Sequence, residues 1–230
     1  MELQNKKVLV TGGTSGLGLE LVKTLLDKGS IVYTYTNNKE SMETVKAEIQ
    51  NDKFHIELAD VSNQNEVKDY FSKFEDLDVI INNAGIWLEG LVEENSFDQI
   101  SKVINVNLTG LIFNTSLALP FLKKKEISYI INIVSTSGLE SKPSQSVYAA
   151  SKWGVHGFTE CLKTDLKRTG VRVIGIYPGG MKTKLFRNFK YERGIDKFMD
   201  PAEVAKVVVS TIETSSDMVI DKVEIKRTKY

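Results

Sequence analysis

The chain has 230 residues, 41% hydrophobic and 26% charged, which suits one sizeable domain able to bury a core. Thirty Lys and Arg balance thirty Asp and Glu, so nothing in the charge marks a nucleic-acid or membrane-surface binder. A single cysteine, Cys161, excludes an internal disulfide framework.

The opening Met-Glu-Leu-Gln-Asn-Lys-Lys lacks the apolar core of a secretory signal. No apolar stretch is expected to approach the roughly 20 residues that span a bilayer, so a cytoplasmic protein without a membrane partner is expected. Residues 7–11, Lys-Val-Leu-Val-Thr, predict a first strand that runs straight into Gly12-Gly-Thr-Ser-Gly-Leu-Gly18. A helix follows to about residue 28, with Leu17, Leu21, Val22 and Leu25 on one face. Strand, glycine loop and helix together aim backbone N–H groups and a helix N-terminus at a phosphate. Gly13 and Gly18 have the separation of a P-loop, but Leu19-Glu20 replaces the required Lys-Ser/Thr and argues against nucleotide triphosphate hydrolysis.

The alternation continues to the end of the chain. Strands are predicted at 31–36, 54–58, 78–81, 129–134 and 171–177, with a last one within 218–225. Helices are predicted at 39–50, 66–74, 97–124 (with a break near Gly110 and a bend at Pro120), from 146 onward, and at 201–213. Such alternation means one parallel sheet covered on both faces, whose ligands bind beyond the carboxyl ends of the strands. Asp60, Asn82-Asn-Ala-Gly85, Ser135 and Pro178-Gly-Gly180 each follow the carboxyl end of a different strand, so all converge on one crevice.

Residues 146–152, Ser-Val-Tyr-Ala-Ala-Ser-Lys, put Tyr148 and Lys152 one turn apart on the same helix face. A phenol has an unperturbed pKa of about 10, and lowering it by two to three units takes roughly 3–4 kcal/mol. An ammonium about 4 Å away supplies that much at an effective dielectric near 20. Tyr148 is thereby expected as a general acid–base group for a carbonyl/alcohol interconversion, with Lys152 lowering its pKa.

Together these residues resemble the short-chain dehydrogenase/reductase family through nearly the whole chain. Thr11-Gly-Gly-Thr-Ser-Gly-Leu-Gly18 is similar to its Thr-Gly-x-x-x-Gly-x-Gly motif, and Asn83-Ala-Gly85 to the motif after strand four. Ser135 stands thirteen residues before Tyr148, and Tyr148-Ala-Ala-Ser-Lys152 matches Tyr-x-x-x-Lys. The resemblance implies a single Rossmann-like domain over 1–230, a doubly wound parallel sheet of about seven strands with helices on both faces. It implies a catalytic set of Asn107, Ser135, Tyr148 and Lys152, with Asn107 anchoring a water that links Lys152 to solvent. It also implies a nicotinamide dinucleotide held by Gly12, Thr14, Ser15, Gly16, Leu17, Gly18, Thr36, Asn37, Asp60, Val61, Asn83, Ala84, Gly85, Tyr148, Lys152, Pro178, Gly179, Met181 and Thr183. Within that set Asp60 would bond the adenine amine and Thr183 the nicotinamide carboxamide. A small carbonyl or alcohol substrate and a homotetramer or homodimer are implied as well.

The end of strand two reads Tyr35-Thr-Asn-Asn38, without the acid that bonds a ribose diol, so NADP(H) is favoured and NAD(H) is the alternative. Ser15 stands where NADP-dependent members often carry a basic residue. The C-terminal strand lacks an Asp-Gly-Gly ending, which weakens a 3-ketoacyl-carrier-protein reductase reading. A non-catalytic dinucleotide sensor is the further alternative. Specificity is expected from 86–89, 139–145 and a basic, aromatic lid at about 182–198. Trp87 is expected as a pocket wall, Cys161 as a buried thiol, and His55, Trp153 and His156 as packing residues. No metal site is expected.

Overall fold

The computed structural model describes residues 1–140, 142–183, 185, 198–214 and 217–228; most of the expected lid lies outside the described residues. Seven parallel strands form one sheet: β1 (Lys7–Thr11), β2 (Ile31–Thr36), β3 (Phe54–Leu58), β4 (Val79–Asn82), β5 (Ser128–Ile133), β6 (Val171–Pro178) and β7 (Lys222–Ile225). Their spatial order is β3-β2-β1-β4-β5-β6-β7, which reverses direction between β1 and β4 and opens a crevice there. Strands β4 and β5 are buried along their full length, which is why they read as continuous apolar runs. Burying each of Ile80, Ile81, Ile130 and Ile131 is worth about 1.5–3 kcal/mol relative to exposure.

Helices α1 (Gly16–Asp27) and α7 (Pro201–Ser210) pack on one sheet face around Leu21, Val22 and Val208. The opposite face is covered by α3 (Gln64–Phe71), α5 (Gly110–Leu122) and α6 (Ser146–Asp165), through Val67, Ala118 and Leu162. Helix α2 (Lys39–Glu48) flanks β2 and β3.

Helix α4 (Phe97–Ile104) joins α5 through a π-helical turn, Asn105–Thr109, so the expected break at Gly110 is a change of hydrogen-bond register instead. The continuous run Phe97–Leu122, 26 residues, is long and apolar enough to cross a membrane, contrary to expectation. In the fold it is a core helix: Asn107, Asn114 and Thr115 are buried within it, and Asn82 donates to Thr115 Oγ1 at 3.0 Å.

Three packing expectations on aromatic and thiol side chains are corrected. Cys161 is exposed, because it lies one position before the buried Leu162 and falls on the outer face of α6. Trp153, eight residues earlier on that outer face, is 48% exposed. His55 is exposed on edge strand β3, where it stacks on Tyr33 with ring centroids 4.8 Å apart. His156 is partly buried and packs as expected, its Nδ1 2.7 Å from the Tyr177 hydroxyl, while His55 and Trp153 keep a ring contact each despite their exposure.

Candidate active site

The turn after β1 is built for close approach. Gly12 and Gly16 have φ of +70° and +53°, the left-handed region that side-chain-bearing residues avoid. A Cβ on Gly18 would lie 2.1 Å from the Gly12 carbonyl oxygen. The first turn of α1 has no side-chain cap, which leaves its N–H groups for an anion. Thr11 Oγ1 accepts from the N–H groups of Asn83 and Ala84 at 3.0 Å each, and Asn83 Nδ2 donates to the Thr11 carbonyl at 3.0 Å. These bonds tie the glycine turn to the Asn83–Gly85 turn across the crevice.

A cleft of about 670 Å³ runs along the carboxyl ends of the strands, within the range of small-molecule sites. Its walls include the expected Gly12, Thr14–Gly18, Thr36, Asn37, Val61, Asn83–Gly85, Ser135, Tyr148, Lys152, Pro178, Gly179, Met181 and Thr183. Two expected residues stand behind it. Asn107 lies in the π turn, where its Oδ1 accepts from Ile86 N at 2.8 Å and its Nδ2 donates to Ile86 O and Ser151 Oγ, both at 3.0 Å. The side chain therefore pins the loop after β4 with its own protein partners.

Asp60 also stands back. Its Oδ1 accepts from the backbone and hydroxyl of Ser62, and its Oδ2 from Asn37 Nδ2 at 2.8 Å. Burial works to raise its pKa, but these hydrogen bonds outweigh it and hold the carboxyl below its usual value.

Tyr148 and Lys152 are 5% and 4% exposed, on successive turns of α6. Burial pushes the Tyr148 phenol up to about 12, and a hydrogen bond with Ser135 offsets only part of that. Lys152 Nζ lies 5.9 Å from the Tyr148 ring centroid and donates to the Ile133 carbonyl at 3.0 Å. Burial draws its own pKa down to about 8. The expected depression of the tyrosine pKa by Lys152 is thus reversed in the free protein, because burial of the phenol outweighs the hydrogen bonding that favours its ionised form. Ser135 itself has φ of +140°, a strained conformation for a serine, and its Oγ accepts from Ser137 N at 3.1 Å.

The remaining cleft residues divide into two kinds. Trp87 is the expected wall, its ring 4.4 Å from that of Tyr148, and Leu185 and Phe198 add apolar surface. Lys142 and Gln145 line the cleft from within the 139–145 segment expected to govern specificity, and Lys102 lines it without having been singled out in the sequence. A buried amide network beneath the site was equally unforeseen. Asn82 Nδ2 donates to Asn132 Oδ1 at 2.9 Å, and Asn132 Nδ2 to Thr159 Oγ1 at 2.9 Å, joining β4, β5 and α6. Asparagines inside the otherwise apolar runs of β4 and β5 were the available signal.

The residues present fit a nicotinamide dinucleotide. The glycine cradle leaves no room for side chains, and Thr183 Oγ1 is buried with no hydrogen-bond partner among the described residues.

Fold and site together define an oxidoreductase that works on a small molecule with a nicotinamide dinucleotide. The model of the short chain dehydrogenase family matches residues 6–194, and the chain belongs to the short-chain dehydrogenase/reductase family. It is 30% identical to an uncharacterised oxidoreductase of Staphylococcus saprophyticus, over 98% of this chain and 99% of that one. Among solved structures it resembles a serine dehydrogenase in its closed form with NADP+, at 26% identity and a TM-score of 0.86, covering 95% of this chain and 94% of that one. It also resembles the F189W variant of actinorhodin polyketide ketoreductase with NADPH, at 26% identity and a TM-score of 0.86, covering 96% and 95%.

Proposed function

We propose that this enzyme interconverts a small carbonyl compound and its secondary alcohol, with NADP(H) the favoured cofactor, as a single-domain cytoplasmic homo-oligomer. The observation that carries the reading is the burial of Tyr148 and Lys152 on successive turns of α6 at the wall of the glycine-cradled cleft that Ser135 also lines. When bound, the dinucleotide supplies or accepts the hydride. Tyr148, protonated throughout the neutral range, gives its hydroxyl proton to the carbonyl oxygen, and Ser135 hydrogen-bonds the same oxygen as charge develops. The Lys152 ammonium then stabilises the phenolate that is left. Asn107 fixes the loop that carries Trp87, and Trp87 covers Tyr148 and excludes water. The test is a panel of ketones, aldehydes and hydroxy acids assayed with both nucleotides by nicotinamide absorbance. Turnover of at least one pair supports the reading, and none with either nucleotide contradicts it.

The cofactor preference rests on the end of β2, where Thr36 and Asn37 line the cleft and no carboxylate stands. Thr36 Oγ1 accepts from Asn38 N at 3.2 Å, which leaves its O–H to donate to a 2′-phosphate. Asn37 is less available than the sequence suggests, since Asp60 takes one of its amide protons. The NADP+ and NADPH in the two neighbouring structures support the same choice. A preference for NADPH of roughly tenfold in kcat/KM is expected, the low end for charge-assisted hydrogen bonds at an exposed site. Thr36→Asp is expected to reverse it by adding repulsion. Equal or better kcat/KM with NADH in the unmutated protein would contradict the assignment.

Assembly is proposed through the outer face of α6. Ala150, Trp153, Gly157 and Cys161 are exposed there in one stripe, and a Cβ on Gly157 would meet nothing within 4 Å. Gly154 serves a different purpose: a Cβ there would lie 2.7 Å from Leu108 Cδ2, so its smallness is used within the monomer. Light scattering at micromolar concentration is expected to return a dimer or tetramer, and Gly157→Arg to shift it toward monomer. A monomeric mass for the unmutated protein would contradict the proposal.

A further inference from the structure

The charged side chains that line the cleft all have one sign. They are Lys102, Lys142 and Lys152, and no carboxylate lines it among the described residues. Lys152 is occupied with Ile133 and Tyr148. Lys102 sits near Asp60, whose pKa it helps to lower. Lys142 has no part in the chemistry described above.

Its position is specific. Lys142 Nζ lies 3.3 Å from Thr136 Oγ1, the residue that follows Ser135, and all three residues line the cleft. That contact is with a neutral hydroxyl and supplies no opposite charge; the ammonium is exposed, and the charge nearest to it that it is seen to act on is Glu140. No carboxylate among the described residues lies within ion-pair distance of it; Glu140, two residues away, is held by Lys226 at 2.6 Å. Gln145 lines the same end of the cleft. Its Oε1 accepts from Ser137 Oγ at 3.1 Å, which directs the amide NH2 elsewhere. The segment bearing both residues is tied to the Trp87 loop, since Gly90 N donates to Ser144 O at 2.9 Å. Trp87, Leu185 and Phe198 are among the apolar residues that line the cleft.

We propose that Lys142 is a specificity-determining residue and that the carbonyl substrate is an oxo acid, its carboxylate received by Lys142 Nζ and the Gln145 side-chain amide. The inference rests on the carbonyl-reduction reading above. One ammonium and one amide match a singly charged carboxylate. A phosphate dianion is better served by a guanidinium fork or a nest of backbone N–H groups, and among the described residues no guanidinium lines this cleft. The carboxylate takes no part in bond making; it anchors one end of the substrate so that the carbonyl stands at Ser135 and Tyr148.

The experiment uses the purified full chain with NADPH and with NADH. Short 2-oxo and 3-oxo acids are compared with their methyl esters in the unmutated protein, Lys142→Met and Lys142→Arg. The acid is expected to exceed its ester by roughly 10- to 100-fold in kcat/KM, mainly through KM, as befits a hydrogen bond to a charged group. That ratio is expected to collapse in Lys142→Met and to survive within a few-fold in Lys142→Arg. An ester turned over as well as its acid, or a ratio unchanged in Lys142→Met, overturns the proposal. In parallel, calorimetry titrates the NADPH-loaded protein with butanoate and with butanamide, neither of which can be reduced. Tighter binding of butanoate, by about tenfold or more and lost in Lys142→Met, supports the site independently of turnover. If that difference stands while no carbonyl is reduced, the carboxylate site holds and the carbonyl-reduction reading falls. If esters are reduced and butanoate binds no better than butanamide, the reading holds and the carboxylate site falls.

Discussion

Tyr148→Phe is expected to lower kcat by roughly 10²- to 10⁴-fold, the usual contribution of a positioned proton donor. Affinity for the dinucleotide is expected to stay within a few-fold, because only a hydroxyl is removed and the ring remains against Trp87. The loss falls on the chemical step. The phenol is buried on the cleft wall that Ser135 also lines and keeps its proton at neutral pH, so it is the group placed to give the carbonyl oxygen its proton. Steady-state kinetics and fluorescence titration of the dinucleotide check the two halves separately. A variant that keeps most of its kcat would remove Tyr148 from the mechanism.

Lys152→Ala is expected to damage both catalysis and cofactor binding. Truncation removes the cation that stabilises the phenolate and leaves the buried Ile133 carbonyl without its donor. A lost buried hydrogen bond of this kind costs about 1–3 kcal/mol in stability, so a lower Tm accompanies the kinetic loss. The pH dependence identifies the group. Burial lowers the Lys152 pKa to about 8, so in the free enzyme the ammonium is present below that pH and is lost as pH rises through it. Tyr148, raised to about 12, keeps its proton over the same interval. kcat/KM for reduction is therefore expected to fall on an alkaline limb near pH 8 that belongs to Lys152 and is missing in Lys152→Ala. A limb that persists unchanged in the variant would assign it to another group.

The strand-and-helix alternation was legible because period and apolar runs are local properties: β1, β2 and β3 begin and end where their residues predict. The cleft was legible because Gly12, Asn83, Ser135 and Pro178 each follow a strand, and a parallel sheet sends all those ends to one edge. The π turn at Asn105–Thr109 was read only as a break, since a shift from i+4 to i+5 hydrogen bonding leaves no residue signature beyond the nearby glycine. Cys161 was misassigned because its burial depends on which side of α6 meets the sheet, and the neighbouring apolar Phe158 and Leu162 blur that boundary. The tyrosine pKa was read in the wrong direction for a similar reason. A Tyr-x-x-x-Lys spacing reveals the cation, whereas the burial that raises the phenol pKa depends on packing remote in sequence, such as the Trp87 ring against Tyr148. Lys142 and Gln145 fell within a segment expected to govern specificity, but a lysine in a loop is ordinary until its ammonium is found beside Thr136.

The most direct measurement is the fate of the hydride. The carbonyl panel is incubated with NADPH deuterated at nicotinamide C4, each stereoisomer in turn, and the products are examined by mass spectrometry. The expected result is one deuterium on the carbinol carbon from a single stereoisomer, with labelled product reduced at least a hundredfold in Tyr148→Phe, within the range for a lost proton donor. Unlabelled products throughout, from NADPH and from equally labelled NADH, would contradict carbonyl reduction as the function of this site.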